Sequence, residues 1–475
     1  MRKHVLFNLY LIDFCNNIYK KNLAHYNILK MFYNFFKLFY IFFSEFIIFT
    51  SKKLIYKLKK LPSLDRLTLV KNITYKLEEL NIVYVKVFQS LCLDKNILNE
   101  KEIEFLIKYT DSVPYRSDDI DYELLDILES KYNICIDTNN NSPINSGIVG
   151  IVFKGTDNNN NNKKVVIKIL KNNIEERLIK VFNEIEFITS IIKYIPYFNN
   201  LNFNKLFLDN KESLLNQINF INEVKNIKLF KEKNKNLEEY IIPYVYEEIT
   251  NEYNNIIVME NIEGLKIDQI KKMDPQIKNE FGKLFVKFGI ISILYNSAIH
   301  NDLHSGNVFF YINNKDDTNN KNDKNLKPKY QLGLIDFGIC VFLNRENQNV
   351  YYIFLYEMLV NQNFTNMEYV IQNFINEKKY FQEMSENLKS NLINEEINLF
   401  KKYSSISLDA YFLFLFCKNL KKYKLSMTKE ANEIFFGFFT VNALANELCI
   451  NFNETQKEVL NNLSYMNSLL QIIYE

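Results

Sequence analysis

Residues Ile299–Phe310 read IHNDLHSGNVFF. The stretch carries two of the chain's four histidines, His300 and His304, with Asp302 and Asn307 five positions apart and an apolar run around them. Two readings compete: a polar turn that precedes a buried strand, or a loop that holds a carboxylate and an amide at a fixed spacing for chemistry. The neighbourhood separates them. Twenty-nine residues after Asn307, LGLIDFGIC is an apolar strand that ends in Asp336, Phe337 and Gly338. A carboxylate released at a strand end, beside a Gly that lets the chain turn away, suits a divalent cation. Asp-Phe-Gly alone is common by chance; on a strand end, at this distance from HxDxxxxN, it is specific.

The complement lies upstream. VVIKIL is a β-branched run with Lys168 embedded in it. Such a Lys is costly unless an anion meets it, and the bland alternative is a snorkelling Lys at a strand edge. Its carboxylate partner is open between Glu184 in FNEIEF and Glu223 in NFINEVKN. Before that strand, NSGIVGIV (Asn145–Val152) offers Gly147 and Gly150, whose backbone amides could approach a phosphate, although a glycine-containing hairpin would read the same. Phosphoryl transfer from ATP needs a backbone cradle, a Lys on the phosphate charge, a carboxylate that orients the acceptor, and Mg2+ ligands. Gly147 with Gly150, Lys168, Asp302, and Asn307 with Asp336 supply these parts. His300 and His304 are expected to hold the loop by hydrogen bonds and not to act as bases.

A chain of 475 residues has room for two or three cores, because single cores stop growing at roughly 250 to 300 residues. Hydrophobic content of 47% and aromatic content of 15% place it among globular proteins, while the excess of Asn, Ile and Lys and the absence of Trp look like coding bias. A net charge of +2 gives no basic face, so no nucleic-acid partner is expected. Cys15, Cys92, Cys135, Cys340, Cys417 and Cys449 lack metal-ligand spacing and are expected as ordinary buried thiols in an intracellular, reducing compartment. The stretch ILKMFYNFFKLFYIFFSEFIIFT (Ile28–Thr50) is strongly aromatic but interrupted by Lys30, Lys37 and Glu45, with Lys52, Lys53, Lys57, Lys59 and Lys60 behind it. Its uninterrupted part is shorter than a membrane span. Two readings stay open, a helix lying in a membrane interface and an aromatic helix packed on its own domain. Scarce Arg and Ser, with Asp13 present, speak against a transit peptide.

Helical periodicity recurs from Ser63 to Ile107 and again in DIDYELLDILESKYNI. A turn-rich break at Asn139–Pro143 leads into GIVGIVFKG and VVIKIL, a hairpin joined by a solvated Asn tract. Residues 172–240 read mainly as helix with a loop at Lys231–Asn236, YNNIIVMENIEG as a strand, and the remainder as helix apart from NVFFY and LGLID. The boundaries fall at 1–60 for the aromatic segment, 61–138 for a helical extension, 139–262 for a small strand-rich lobe and 263–475 for a mostly helical lobe.

Together these residues, with LNIVYVKVFQSL and LIKYTDSVPYRSDDIDYELLDILESKYNI, resemble the UbiB-like atypical kinases, also called aarF-domain-containing kinases. That family carries a KxGQ helix, matched here by Lys86 and Gln89, and a D-x-VP segment, matched by Asp111, Val113 and Pro114. The similarity runs from about Leu67 to Gly338. It implies an α+β, two-lobed protein-kinase-like fold with a small β-rich first lobe, a helical second lobe and a preceding helical extension. It also implies ATP and Mg2+ as cofactors, and a membrane and isoprenoid-lipid (ubiquinone-pathway) association. By the same resemblance Lys168 holds ATP phosphate, Glu223 is its partner, Asp302 is the catalytic-loop Asp, Asn307 and Asp336 ligate Mg2+, and Glu260 with Asn261 lies at the hinge beside adenine. Lys86 and Gln89 belong to a helix that covers the nucleotide site.

Three departures stand out: Phe88 replaces the Gly of KxGQ, Gly147 replaces an Ala in the loop over the phosphates, and Gln217-Ile218-Asn219 replaces an acidic ExD. In the family those acids meet the KxGQ helix, so a less restrained nucleotide site is expected here. Two alternatives remain. A small-molecule kinase of the aminoglycoside or choline kinase type is disfavoured by the KxxQ and D-x-VP segments. A nucleotide-binding pseudokinase scaffold is disfavoured by the intact Lys168, Asp302, Asn307 and Asp336. The phosphate acceptor and any protein partner are not legible.

Overall fold

A computed structural model describes residues 28–62, 65–92, 113–137, 142–192, 214–313, 330–357, 363–403 and 410–462, together with positions 99, 101–102, 105–106 and 211. Asp111, Asp13, Cys15 and most of the loop before LGLID lie outside the described residues. The principal elements begin with helices α1 (Ile28–Leu58), α2 (Leu67–Leu80), α3 (Ile82–Cys92) and α4 (Tyr122–Tyr132), then strands β1 (Ile134–Ile136), β2 (Asn145–Ser146), β3 (Gly150–Asp157) and β4 (Lys163–Leu170). Helices α5 (Ile174–Ile192) and α6 (Phe220–Lys233), strands β5 (Tyr240–Ile241) and β6 (Ile256–Glu260), and helix α7 (Pro275–Ile291) follow. Strands β7 (Ala298–His300), β8 (Val308–Ile312), β9 (Tyr330–Leu334) and β10 (Cys340–Phe342) precede helices α8 (Arg345–Tyr356), α9 (Met367–Phe374), α10 (Glu386–Tyr403), α11 (Ala410–Lys422) and α12 (Lys429–Leu448). The fold is α+β and kinase-like.

These elements fall into two compact units. One takes the described residues up to Ile120, Asn145–Ile151 and the segment from Leu170 to Leu215; the other takes Asp121–Ile144, Val152–Ile169 and the chain from Asn216 onward.

In the second unit a sheet runs in the order β1-β3-β4-β6. The Asn tract between β3 and β4 puts Asn161 and Asn162 at φ 51° and 55°, a left-handed conformation that Asn tolerates far better than β-branched residues do. Along β4, Val165, Ile167 and Ile169 are fully buried on one face, which sets Lys168 on the other. Antiparallel β6 places Ile257 opposite Lys168. Helix α6 starts where the Asn219 side chain accepts from the Asn222 N–H at 3.1 Å, an N-cap. The helix runs on to Lys233, so the loop expected from Lys231 opens three residues later, at buried Asn234, whose Nδ2 donates to Phe230 O at 2.8 Å. Strands β8 and β9 pair antiparallel with Val308 opposite Leu334. Strand β7 pairs with β10, setting His300 opposite Cys340.

The helical part of this unit is filled by Phe rings in edge and tilted contact, Phe354 with Phe435 at 4.8 Å, Phe374 with Phe435 at 4.9 Å and Phe400 with Phe412 at 4.9 Å between centroids. Helix α7 packs along α12. None of the described cysteines, Cys135, Cys340, Cys417 and Cys449, forms a disulfide, and all four are only half-buried where buried thiols were expected.

In the first unit, α1 packs on α2 and α5. It runs eight residues past Thr50, and over Phe32–Leu58 it has the length and composition to cross a membrane. Its Glu45 is buried, accepting from Lys76 Nζ at 2.6 Å and Asn72 Nδ2 at 3.0 Å. The helical periodicity from Ser63 is broken at Asn81, whose Oδ1 accepts from the Val83 N–H at 3.1 Å and starts α3. The Val113-Pro114 segment is stitched down by Val113 N–H to Ser146 O at 2.8 Å and by buried Lys171 Nζ to Pro114 O at 3.3 Å.

Glu396 on α10 is fully buried, and burial, only partly offset by the Asn419 side chain, pushes its carboxyl up to about 9. A carboxyl raised in the folded state and ordinary in the unfolded one makes folding bind a proton, so stability is fullest below about pH 4.5 and declines as pH rises towards 9. Glu396→Gln should therefore raise the melting temperature by about 3–6 °C at pH 8 and far less at pH 5. Melts by circular dichroism at both pH values check this; a gain independent of pH would mean the carboxyl is not neutral in the fold.

Candidate functional site

The site is built on β4, α6 and the two strand ends beside β7. Lys168 Nζ lies 2.8 and 2.9 Å from the two carboxylate oxygens of Glu223 and 3.4 Å from Asp336 Oδ1. The Lys168 side chain is 13% exposed, Glu223 1% and Asp336 42%. Burial works against the charge on Lys168, but Asp336 and Glu223 outweigh it and hold the amine protonated well above its ordinary range. Phe220 places its ring 5.4 Å from the same Nζ. Glu223 stands in the first turn of α6, where the helix N-terminus favours a carboxylate.

Asp336 has φ 61°, an uncommon conformation for a residue with a side chain. The surroundings over-determine it. Ile335 N–H donates to Asn307 O at 3.1 Å. Phe337 is fully buried with its ring 5.1 Å from Phe230 and 4.9 Å from His300, and Asn226 Nδ2 donates to Phe337 O at 2.9 Å. His300 Nδ1 accepts from the Asp302 N–H at 3.3 Å, so Nε2 carries the proton and donates to Ile335 O at 3.2 Å. Burial lowers the His300 pKa to about 4, which keeps this bridge neutral. It ties the loop that bears Asp302 to the strand end that bears Asp336.

Within that loop, Asn307 Nδ2 donates to Asp302 O at 2.9 Å, leaving its Oδ1 as the atom able to ligate a hard cation. His304 Nδ1 accepts from the Gly306 N–H at 3.1 Å, a cap and not a base position. Lys266 Nζ donates to Gly306 O at 3.2 Å while lying 3.7 Å over the Phe309 ring. From behind, α12 approaches through Gly437: a Cβ there would come within 2.6 Å of Ile299 Cγ2 and 2.7 Å of Asn301 Oδ1.

Of the two carboxylates that spacing left open, Glu223 is the one at Lys168. Glu184 lies in the other unit, buried, accepting from Asn34 Nδ2 at 2.5 Å and from the Tyr84 hydroxyl. Glu260 ends β6, paired with Lys163 at 3.2 Å and accepting from the Tyr244 N–H at 3.2 Å, and Asn261 N–H donates to Lys164 O at 3.1 Å. Gly147, Gly150, Lys86 and Gln89 belong to the first unit. There Gly147 N–H donates to Gly150 O at 2.8 Å, neither glycine has positive φ, and a Cβ on Gly147 would find its nearest neighbour at 3.7 Å. Lys86 is half-buried on α3; Gln89 is on the same helix, its side chain outside the described set.

Sequence reasoning missed Asn226, Phe230, Lys266 and Gly437. The first two carry a signal, since 223, 226 and 230 recur at helical spacing on one face; Gly437 in FFGFF carries none beyond its isolation among Phe residues.

A model of the ABC1 atypical kinase-like domain matches residues 110–371. Among curated proteins, an uncharacterized protein in the hydrogenase 1 5' region of Clostridium pasteurianum is 27% identical over 253 residues, covering 51% of this chain and 46% of the relative. A probable protein kinase UbiB of Shewanella baltica strain OS185 is 26% identical over 261 residues, 52% of this chain and 44% of the relative. The chain thus spans about half the length of the curated relatives it matches. Among solved structures, a Mycobacterium tuberculosis protein in complex with erythromycin aligns at a TM-score of 0.41 and 14% identity, covering 79% of this chain and 94% of that one.

Gly437→Ala should push α12 off the loop and destabilise the protein by about 1–3 kcal/mol in urea unfolding, while Asn226→Ala, which leaves the Phe337 carbonyl only the weak Cys340 thiol as donor at 3.4 Å, should cost about 1 kcal/mol. Wild-type stability of the Gly437→Ala variant would show that the helix yields without strain.

Proposed function

Given that the chain belongs to the ABC1 atypical kinase-like family, UbiB-like in kind, we propose that it binds ATP with Mg2+ and transfers or hydrolyses the γ-phosphate. The observation that carries the reading is the buried Lys168–Glu223 pair with Asp336 Oδ1 at 3.4 Å on its open side. A charged amine fixed by one carboxylate, beside a second carboxylate that faces solvent, is a receptor for phosphate plus a divalent cation. The donor set fits Mg2+, which takes few protein ligands and fills the rest with water and phosphate oxygens. Asp336 and the Asn307 Oδ1 would hold it, Lys168 would lie on the phosphates, and Mg2+ when bound would neutralise charge developing on them. Asp302 would orient the acceptor hydroxyl or water, its loop fixed by His300 and Asn307. Glu260 and Asn261 would meet the adenine; Gly147 and Gly150 stand in the family's phosphate-loop motif, and Lys86 and Gln89 in its KxGQ motif. The two lobes would be 139–262 and 263–475, after the extension at 61–138. A membrane-lipid partner and a link to isoprenoid-lipid metabolism complete the reading, on the resemblance to UbiB proteins.

Turnover of ATP by the purified chain with Mg2+ tests it. Asp336→Asn and Lys168→Met should each lower turnover by roughly 100-fold or more. Gly147→Ala, which meets no clash, should alter ATP affinity by restraining the loop, and an unchanged affinity would speak against a loosened nucleotide site. Nucleotide binding without turnover in the wild type would give the scaffold reading instead.

A further inference from the structure

Helix α1 is inverted with respect to the rule for soluble proteins. Its inner stripe, Asn34, Leu38, Ile41 and Glu45 at helical spacing, faces the rest of its unit and includes the buried carboxylate. Its outer face carries Tyr33, Phe36, Phe39, Tyr40, Phe43 and Phe46, each 54–66% exposed. An amphipathic helix in water does the opposite, and contiguous exposed apolar surface marks an interaction site. Of the charges that interrupt the aromatic run, Glu45 is turned inward and bound by Lys76 and Asn72, so from Phe32 to Ile48 Lys37 alone puts a charge on the exposed side. Beyond that face come exposed Lys52, Lys53, Lys57, Lys59 and Lys60, with no acidic residue between Glu45 and Asp65.

We propose that α1 docks side-on onto an anionic lipid leaflet, its aromatic face entering the boundary between headgroups and acyl chains and its lysine run lying on the headgroups. Charge complementarity selects this occupant, since aromatic side chains followed by unopposed lysines are what a negatively charged interface binds. The side-on pose follows from the anchoring of the helix. Phe32 meets Phe187 at 4.8 Å, Asn34 meets Glu184 at 2.5 Å, and Phe42 meets Phe88 at 5.8 Å between rings. A spanning pose would strip Glu45 of its partners, or drag α2 and α5 into hydrocarbon with Glu79, Glu175 and Glu176 on their surfaces. The inference rests on the lipid-partner part of the proposed function and supplies its surface.

The test is partition of the full chain onto vesicles of phosphatidylcholine with and without phosphatidylserine. Wild type should bind the anionic vesicles and release at high salt. The combined Phe39→Ser, Phe43→Ser and Phe46→Ser variant, altered only at exposed positions and checked by an unchanged melting curve, should partition about tenfold less or weaker. Replacing the five lysines by Gln should remove the preference for phosphatidylserine. Because the chain has no Trp, Tyr33→Trp and Phe46→Trp each report alone. These sites lie about 20 Å apart along the helix, and quenching by brominated lipids should place both at one shallow depth. Equal partition of wild type and the triple Phe variant would overturn the inference while leaving a lipid partner in place. No partition of the wild type onto any vesicle would overturn both. Two different Trp depths would overturn the side-on pose, and a dimer abolished by the triple variant, without vesicle binding, would assign the face to a second copy of the chain.

Discussion

A lysine charge held at 13% exposure on a β-strand is tolerable only because Glu223 sits against it at 2.8 Å. Burial pushes the Glu223 carboxyl up to about 7 against the pull of Lys168; where it is ionised the pair is neutral, and Asp336 at 3.4 Å adds a negative charge on the side that faces solvent. Three elements must stay in register to keep this arrangement: β4, fixed by Val165, Ile167 and Ile169 in the core; α6, started by its Asn219 cap; and the end of β9. Helix α6 does more than supply the carboxylate. Glu223, Asn226 and Phe230 follow one another at three- and four-residue spacing, so one face of the helix grips Lys168, the Phe337 carbonyl and the Phe337 ring. Movement of α6 would therefore break the ion pair and the grip on Phe337 together.

The second constraint is a neutral histidine. His300 accepts from one strand end and donates to the other, and only the uncharged ring has one nitrogen for each task. Burial against Phe230 and Phe337 keeps it uncharged at any ordinary pH. The tie between the loop bearing Asp302 and the end of β9 is thus made by a ring that does not itself meet solvent, while Asp336 remains open.

The sequence joined Asn307 and Asp336 only through motif spacing, HxDxxxxN followed by DFG; that β8 and β9 pair antiparallel, with the two residues just outside the same end of the ladder, is a contact no local pattern showed. Lys168 stood out in the sequence because a Lys within a β-branched run is costly unless an anion meets it, and the structure adds that strand alternation separates it from the core face. Spacing could not choose between Glu184 and Glu223, since both stand on helices and sequence separation says nothing of which helix reaches β4; only the resemblance of NFINEVKN to the family's helix pointed to Glu223. Gly437 was opaque as well, because its importance comes from a long-range approach to His300 and Ile299 that no local pattern encodes. Composition could identify α1 as aromatic and interrupted by charge, yet only the packing shows that Glu45 points inwards and the rings outwards.

The departures from the UbiB-like pattern take on a physical meaning in this light. A glycine within α3 would cost about 1 kcal/mol in helix propensity, and Phe88 avoids that while giving Phe42 of α1 a ring to lie against; Val70, Leu106 and Phe105 complete the same small cluster. Asn219, at the position of the second acid of ExD, caps α6, a duty an Asp would perform equally well. Neither the Phe88 nor the Asn219 side chain joins the Lys168–Glu223–Asp336 cluster, whereas Gln217, at the position of the first acid, lies beside Gly338 with Glu223 and Asp336. Phe88 instead belongs to the surface that anchors the aromatic helix, so the altered KxGQ motif is better understood as accommodation of α1 than as loss of the site.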